Sequence, residues 1–404
     1  MDDYTNYEVM QYIEEEDVKF IRLAFCDIYG TQKNVSIMPS ELPRAFEYGI
    51  GFDASAILGF GGDVHSDLFL HPDPSTITVL PWRPEHGKVV RMFCSVTYPD
   101  GRPFESDTRK ILRNAITSAA KMGLTFSFGA EMEFYLFNLD EDGRPTKIPY
   151  DEAGYMDIAP DDRGENIRRE ICLTLEQMGI RPESSHHEEG PGQNEIDFRY
   201  ADPLKAADDA ITFNWVVKTI ARRNGLCADF SPKPLINYPG NGLHINISVK
   251  DRDDHELMPC MIAGIMDKIR EISIFLNRTE ASYDRLGNNK APHYISWSRE
   301  NRWQLIRVPA AVGEFRRMEL RSADPLANPY IAFALLIYAV MDGVLNQPEL
   351  PAAADINLST ADPALLSEFK ILPRTRSEAA RIALNSSFVK DHLPESLINE
   401  YCKI

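Results

Sequence analysis

Four short stretches alternate polar with apolar residues, and each polar set holds side chains able to bind a cation or an anion. Glu131 and Glu133 alternate with Met132 and Phe134. Glu195, Asp197 and Arg199 alternate with Ile196, Phe198 and Tyr200. His244, Asn246 and Ser248 alternate with Ile245, Ile247 and Val249, and Arg317, Glu319 and Arg321 with Met318 and Leu320. Successive side chains of a strand point to opposite faces, so each stretch is expected to bury its apolar set and present its polar one. One such face can lie anywhere on a protein surface. Four of them, mixing acid, histidine and arginine, point to a shared polar cavity holding cations and anions together.

Each residue also has a plainer reading. Glu131 and Glu133 could be solvated acids on an edge strand. Yet Leu124 to Phe137 is otherwise mostly apolar and aromatic, as a central strand is, and two carboxylates two residues apart there either repel or share a cation. Glu188 and Glu195 are joined by Gly190-Pro191-Gly192, a turn that can return both to one place, whereas the roles of His186 and His187 stay open. A lone His244 would more often be structural, and the Gly240-Asn241-Gly242 turn before it is a weak sign of close backbone approach to a ligand. Arg302, Arg307, Arg317 and Arg321 could form a solvated basic face, but they are interleaved with apolar residues in a strongly acidic chain. Guanidinium forks suit phosphate and carboxylate oxygens. Glutamates outnumber histidine, which favours magnesium or manganese over zinc. Divalent metal beside arginines is the equipment of phosphoryl transfer from a nucleotide. Neither a Walker loop nor a kinase loop occurs.

These residues need elements to place them. Residues 18 to about 100 read as short strands and turns (Val18–Phe25, Val35–Met38, Val89–Thr97), with a domain boundary after the Asp100-Gly101 turn, at 103/104. Beyond it, helices over 107–121, 166–178, 206–223, 257–276 and 327–341 alternate with the four polar-faced strands, and a Pro- and Ala-rich tail turns helical near 378–384. A net charge of −18 argues against nucleic acid as a partner but leaves room for a small anion in a local arginine cluster. The apolar run from Ile331 to Met341 is too short to span a bilayer, so no membrane association is expected. Six scattered cysteines with no CxxC pair fit a reduced, cytoplasmic protein.

Taken together, several stretches resemble the glutamine synthetase family over nearly the whole chain. They are Gly51-Phe52-Asp53-Ala54-Ser55, Gly129 to Glu133, His186-His187-Glu188 through Glu195, Pro232-Lys233-Pro234 through His244, Asn301-Arg302 through Arg307, and Arg317 to Arg321 through Asn328-Pro329-Tyr330. The resemblance implies an α+β protein: an N-terminal β-grasp domain (1–103) and a catalytic domain (104–404) with a curved antiparallel sheet and helices. It also implies a ring-shaped homo-oligomer, a dodecamer of two stacked hexamers, with active sites between subunits. One metal would take Glu133, Glu188 and Glu195, and the other Glu131, His244 and Glu319. Arg285, Arg321 and the Gly240 backbone match glutamate-binding positions. Arg302, Arg307 and Arg317 match positions near the ATP phosphates, with Ser248 also expected at the nucleotide. Asp53 matches the acid that binds and deprotonates ammonium. The implied activity is ATP-dependent: glutamate becomes an acyl phosphate, and ammonia or another amine displaces phosphate.

The departures lie on the amine side. The family's flap carries a glutamate before Ala-Pro, but here Gly287 to Pro292 is one residue shorter and offers Lys290, expected to reverse the local charge. Pro239 replaces an asparagine near glutamate, Ala56 a serine near ammonium, and Asn246 a common histidine beside the phosphates. All six metal-ligand positions are kept. Activation of a carboxylate by ATP is therefore expected to persist while amine specificity shifts. The competing reading, a non-catalytic scaffold or regulator, predicts eroded metal ligands, and none is eroded.

Overall fold

The computed structural model describes residues 4–61, 66–83, 86–253, 255–311, 313, 316–358 and 360–403. The N-terminal strands are β1 (Val18–Cys26), β2 (Gln32–Ile37), β3 (Ile50–Asp53), β4 (Asp67–Pro72), β5 (Thr78–Val79) and β6 (Lys88–Thr97). They form a six-stranded sheet in the order β2-β1-β6-β4-β3, with β5 also on β6. The β1–β6 pairing is parallel and the other pairings are antiparallel.

The second sheet has nine strands: β7 (Thr125–Leu139), β8 (Pro145–Pro149), β9 (Pro182–His187), β10 (Gln193–Phe198), β11 (Leu226–Asp229), β12 (Leu243–Lys250), β13 (Trp297–Arg299), β14 (Ile306–Val308) and β15 (Met318–Leu320). Its order is β13-β14-β15-β12-β7-β10-β9, with β8 and β11 on the far half of β7. Long β7 is the spine, and its alternation decides which face does what. Phe126, Phe128, Ala130, Met132, Phe134 and Leu136 are buried on one side. Phe128 stacks on Phe333 of the Pro329–Asn346 helix at 4.5 Å, and Phe134 meets Phe213 of the Pro203–Arg223 helix edge-on at 6.2 Å. Each such ring, fully removed from water, contributes roughly 1.5–3 kcal/mol. The other face of β7, with Glu131 and Glu133, is left for the cavity.

The expected helices are present, with ends set by caps. Asp107 accepts hydrogen bonds from the N–H groups of Arg109 and Lys110 at the head of Thr108–Lys121. The helix expected from 206 starts earlier, at Pro203, because Asp202 caps it through Lys205 N–H and proline suits the first turn. Pro329–Asn346, 18 residues long, is apolar and long enough to cross a membrane, but 67% of it is buried as core. It crosses the Met258–Leu276 helix where Gly264 faces Gly343. A Cβ on Gly264 would lie 2.4 Å from the Ala339 carbonyl oxygen, so close helix approach requires glycine there. The strand expected over 195–200 stops at Phe198. A register shift at Asp197/Phe198 precedes that end, and Tyr200 is 37% exposed rather than buried. All six cysteines are free.

The two sheets are tied by a buried polar network. Arg109 donates from Nε and Nη2 to Asp208 at 2.9 and 2.8 Å and from Nη1 to Asp73 at 2.9 Å, while the Tyr330 hydroxyl donates to Asp208 at 2.6 Å. Arg91 of β6 reaches the Thr212 hydroxyl at 3.0 Å.

Candidate active site

Strand register assembles the site. Residues directly opposed in an antiparallel pair share a face. Ser184 opposes Asp197, Asp197 opposes Glu131, and Glu131 opposes His244, a row across four strands. In neighbouring rows His186 opposes Glu195 and Glu195 opposes Glu133, while Asn246 opposes Glu319 and Glu319 opposes Arg307. All of these residues except Asn246 and Glu319 line a cavity of about 700 Å³. Of the residues expected at the site, Glu131, Glu133, Glu188, Glu195, His244, Gly240, Arg285, Lys290, Arg302, Arg307, Arg317 and Arg321 line it.

Glu131, His244 and Glu319 bring one ligand atom each within 4.8 Å of one another, as expected for one metal. His244 Nδ1 lies 3.3 Å from Glu131 and 3.8 Å from Glu319, and Asn246 Nδ2 donates to Glu131 at 2.8 Å. Glu319 is fully buried and accepts from Arg307 Nε and Arg321 Nη1. In the second group the atoms that converge within 4.8 Å are those of His186, Glu188 and Glu195. Glu133, expected with them, lines the same cavity and accepts from Gln193 Nε2 at 3.2 Å and Gly242 N–H at 2.8 Å, with its other oxygen 3.7 Å from His244. His186 thus earns a place that sequence reasoning left open. His187, one residue on, faces the other way. It is fully buried, with Nε2 2.8 Å from Asp151 and Nδ1 2.7 Å from the Glu188 carbonyl.

The electrostatics explain why cations fit. Burial pushes Glu195 well above the ordinary carboxylate range, and Asp197, Glu133, Glu131 and Glu188 push it further. Burial and Glu131 raise Asp197, and burial and Glu188 raise Glu133. Burial works against Glu131 as well, but hydrogen bonds with His244 and Asn246 outweigh it and hold this carboxyl at about 2. Crowded carboxylates of this kind are either protonated or bridged by cations. A mostly oxygen donor set with one or two imidazoles fits hard divalent ions.

Arginines and backbone complete the walls. Arg317 Nε donates to Asn246 Oδ1 at 2.8 Å. Arg285, buried, donates to the carbonyls of Ser322 at 3.0 Å and Arg321 at 3.2 Å. A Cβ on Gly240 would lie 2.2 Å from the Pro232 carbonyl oxygen and 2.9 Å from Arg285 Cγ, so only glycine fits this wall. Gln193, which sequence reasoning passed over, ties Glu133 to the Gly240 carbonyl at 3.2 Å. Its parity with Glu195 was the available signal. Arg302 sits exposed at the rim. Lys290 reaches over the mouth to pair with Glu189, with Nζ 5.6 Å from the Tyr155 ring. The lysine expected to reverse the local charge is therefore compensated by a neighbour of Glu188.

Two expected residues stand apart. Ser248 lies one pleat beyond Asn246, opposite Ser127 and outside the cavity lining. Asp53 ends β3 on the N-terminal sheet, exposed, with Oδ1 accepting from Ser55 N–H at 2.9 Å, and it does not line the cavity of its own chain.

A curved, mainly antiparallel sheet with acid rows, arginines and a β-grasp partner defines a ligase that activates a carboxylate with a nucleotide. The catalytic-domain profile of glutamine synthetase matches residues 105–404 and its β-grasp profile residues 17–99, so the chain belongs to the glutamine synthetase family. The glutamine synthetase of Clostridium saccharobutylicum is 42% identical over 98% of this chain and 93% of its own length. That of Methanosarcina mazei is 42% identical over 98% and 92%. A solved structure described as a GmaS/ADP complex superposes with a TM-score of 0.88 at 26% identity, covering 98% of this chain and 94% of that one. Glutamine synthetase of Plasmodium falciparum shares the fold, with a TM-score of 0.88 at 22% identity over 99% and 94%. The protein is an ATP-dependent ligase that joins an amine to glutamate. With the family come divalent metal ions, small-molecule substrates and a homo-oligomeric assembly.

Proposed function

We propose that this ligase prefers a primary amine with an organic body over ammonia. The Lys290–Glu189 pair at the cavity mouth carries the reading. Ammonium binds through carboxylates, and a flap that offers a lysine already neutralised by Glu189 gives it no net negative charge. Tyr155 and Met156, 45% and 57% exposed beside that pair, offer an apolar wall to a larger amine.

In this reading, glutamate lies against the Gly240 backbone, Arg285 and Arg321. The side-chain carboxylate oxygen attacks the γ-phosphorus of ATP and ADP leaves. Arg302, Arg307 and Arg317 face the phosphates and offset charge on the transferring group, with Ser248 toward the nucleotide. The amine nitrogen then attacks the acyl carbon, phosphate leaves, and the amine proton passes to Asp53 of a neighbouring subunit. Two divalent ions, magnesium or manganese, held by Glu131, His244 and Glu319 and by Glu133, Glu188 and Glu195 with His186 adjacent, would neutralise phosphate charge. Lys290 closes the mouth, which matters because water hydrolyses an acyl phosphate. Asp53 serves a neighbour only in a ring, so we assign a stacked-hexamer dodecamer, with domains divided at 103/104 and a cytoplasmic setting for the free thiols.

The test is phosphate release with ATP, glutamate and a panel of ammonia, short alkylamines, amino alcohols and diamines. We expect an organic amine to exceed ammonia in kcat/KM. Robust turnover with ammonia unmatched by any other amine refutes the amine assignment. No ATP consumption with the whole panel, in a folded oligomer, would instead favour a scaffold.

A further inference from the structure

A second cavity, of about 300 Å³, lies between the N-terminal sheet and the Pro203–Arg223 helix. Its cations are Arg22 of β1, Lys218 of the helix and Arg278, and no carboxylate lines it among the described residues. In a chain of net charge −18 that is an unusual concentration of one sign. Arg22 Nε is shut away from solvent without a hydrogen-bond partner, as are the amide oxygens of Gln32 and Asn214 on the same walls. Buried polar groups are seldom left this way unless something supplies the partner. The guanidinium of Arg22 lies 5.7 Å from the Trp215 ring. Burial and the like charge of Arg83 hold Arg22 below its ordinary value. Arg278 spends Nε on the Leu326 carbonyl at 3.1 Å and stacks over Tyr29.

We propose that this cavity is a second binding site, for a small oxyanion carrying carboxylate or phosphate, gripped by Arg22, Lys218 and Arg278 beside Trp215. An anion there would join β1 of the first sheet to the Pro203–Arg223 helix. It would also press on Met132, which lines the same cavity and lies between Glu131 and Glu133 on β7. An occupant is therefore placed to report a metabolite level to the metal-binding strand. This site stands apart from the ligase cavity and does not depend on which amine is used.

The test is calorimetric titration of the metal-loaded, full-length protein with inorganic phosphate and, separately, with succinate, while tryptophan fluorescence is followed. The ligase cavity also holds arginines, so two classes of site are expected in the wild type. Arg22→Gln and Lys218→Gln should each weaken one class roughly tenfold and leave the other unchanged. The fluorescence change should vanish in Trp215→Phe. The tighter of the two probes identifies the anion chemistry. A single class in the wild type, or titrations of both charge variants that superimpose on it, would overturn the proposal. Should Arg22→Gln fail to fold, exposed Lys218 decides the matter alone.

Discussion

Glu319→Gln keeps the shape of a fully buried side chain and removes its charge. That carboxylate lies between Arg307 and Arg321 and 3.8 Å from His244. At hydrogen-bond distance and an effective dielectric of about 20, each arginine attraction is worth roughly 5 kcal/mol before desolvation. The net cost of breaking a buried pair is about 3–5 kcal/mol, because the partner is left uncompensated. Glutamine can still accept one hydrogen bond, so the lower end, about 3 kcal/mol of stability, is expected. Chemistry should suffer more. The substitution removes one anionic metal ligand and frees two arginines to compete for the cation's place, so metal affinity should fall by at least 10–100-fold, the loss seen when even outer-shell partners are removed. Two measurements check this: urea denaturation without metal, and magnesium or manganese titration read by glutamate-dependent phosphate release. A Glu319→Gln protein with wild-type metal affinity and turnover would refute the convergence of Glu131, His244 and Glu319 on one ion.

Two further outcomes follow from residues outside the cavity. Arg109→Met should cost about 3–5 kcal/mol, read as a lowered urea midpoint, because Asp208 and Asp73 lose their buried cation; an unchanged midpoint would show the inter-sheet network to be dispensable. For His187, burial works against the charged form, but the hydrogen bond with Asp151 outweighs it and raises the imidazole, while burial of Asp151 is likewise outweighed and that carboxyl is lowered. A raised histidine binds its proton more tightly folded than unfolded, so its stabilisation is complete below about pH 6.5 and is lost as pH rises through the folded value. The contribution of Asp151 is present above about pH 4 and is lost on acidification. Urea midpoints should therefore decline above pH 6.5 in the wild type, and His187→Gln should flatten that decline. An equal slope in both proteins would dismiss the pair as the cause.

Some of this was legible in one dimension because it is periodic. Alternation along 131–134, 244–249 and 317–321 set which side chains share a face, and the same parity, applied to 186–188, separates His186 and Glu188 from His187. The helix start at Asp107 was readable from local capping chemistry. Short strands such as Thr78–Val79 and Met318–Leu320 were harder, since pairing with neighbours, not propensity, makes them strands.

Motif order alone pointed to the family and to the acidic and imidazole side chains proposed to hold cations, because those depend on side-chain chemistry and local period. Register decided the rest. It set Asp197 across from Glu131 and brought His186 to Glu188 and Glu195, while loop packing gave Lys290 a carboxylate, Glu189, 101 positions away. The fold also kept Asp53 out of the lining of its own chain's cavity and opened a pocket around Arg22 that no carboxylate lines among the described residues. The cross-strand pairings arise only when distant strands are hydrogen-bonded in one alignment, and a shift of a single residue would turn the strand-borne side chains to the opposite face.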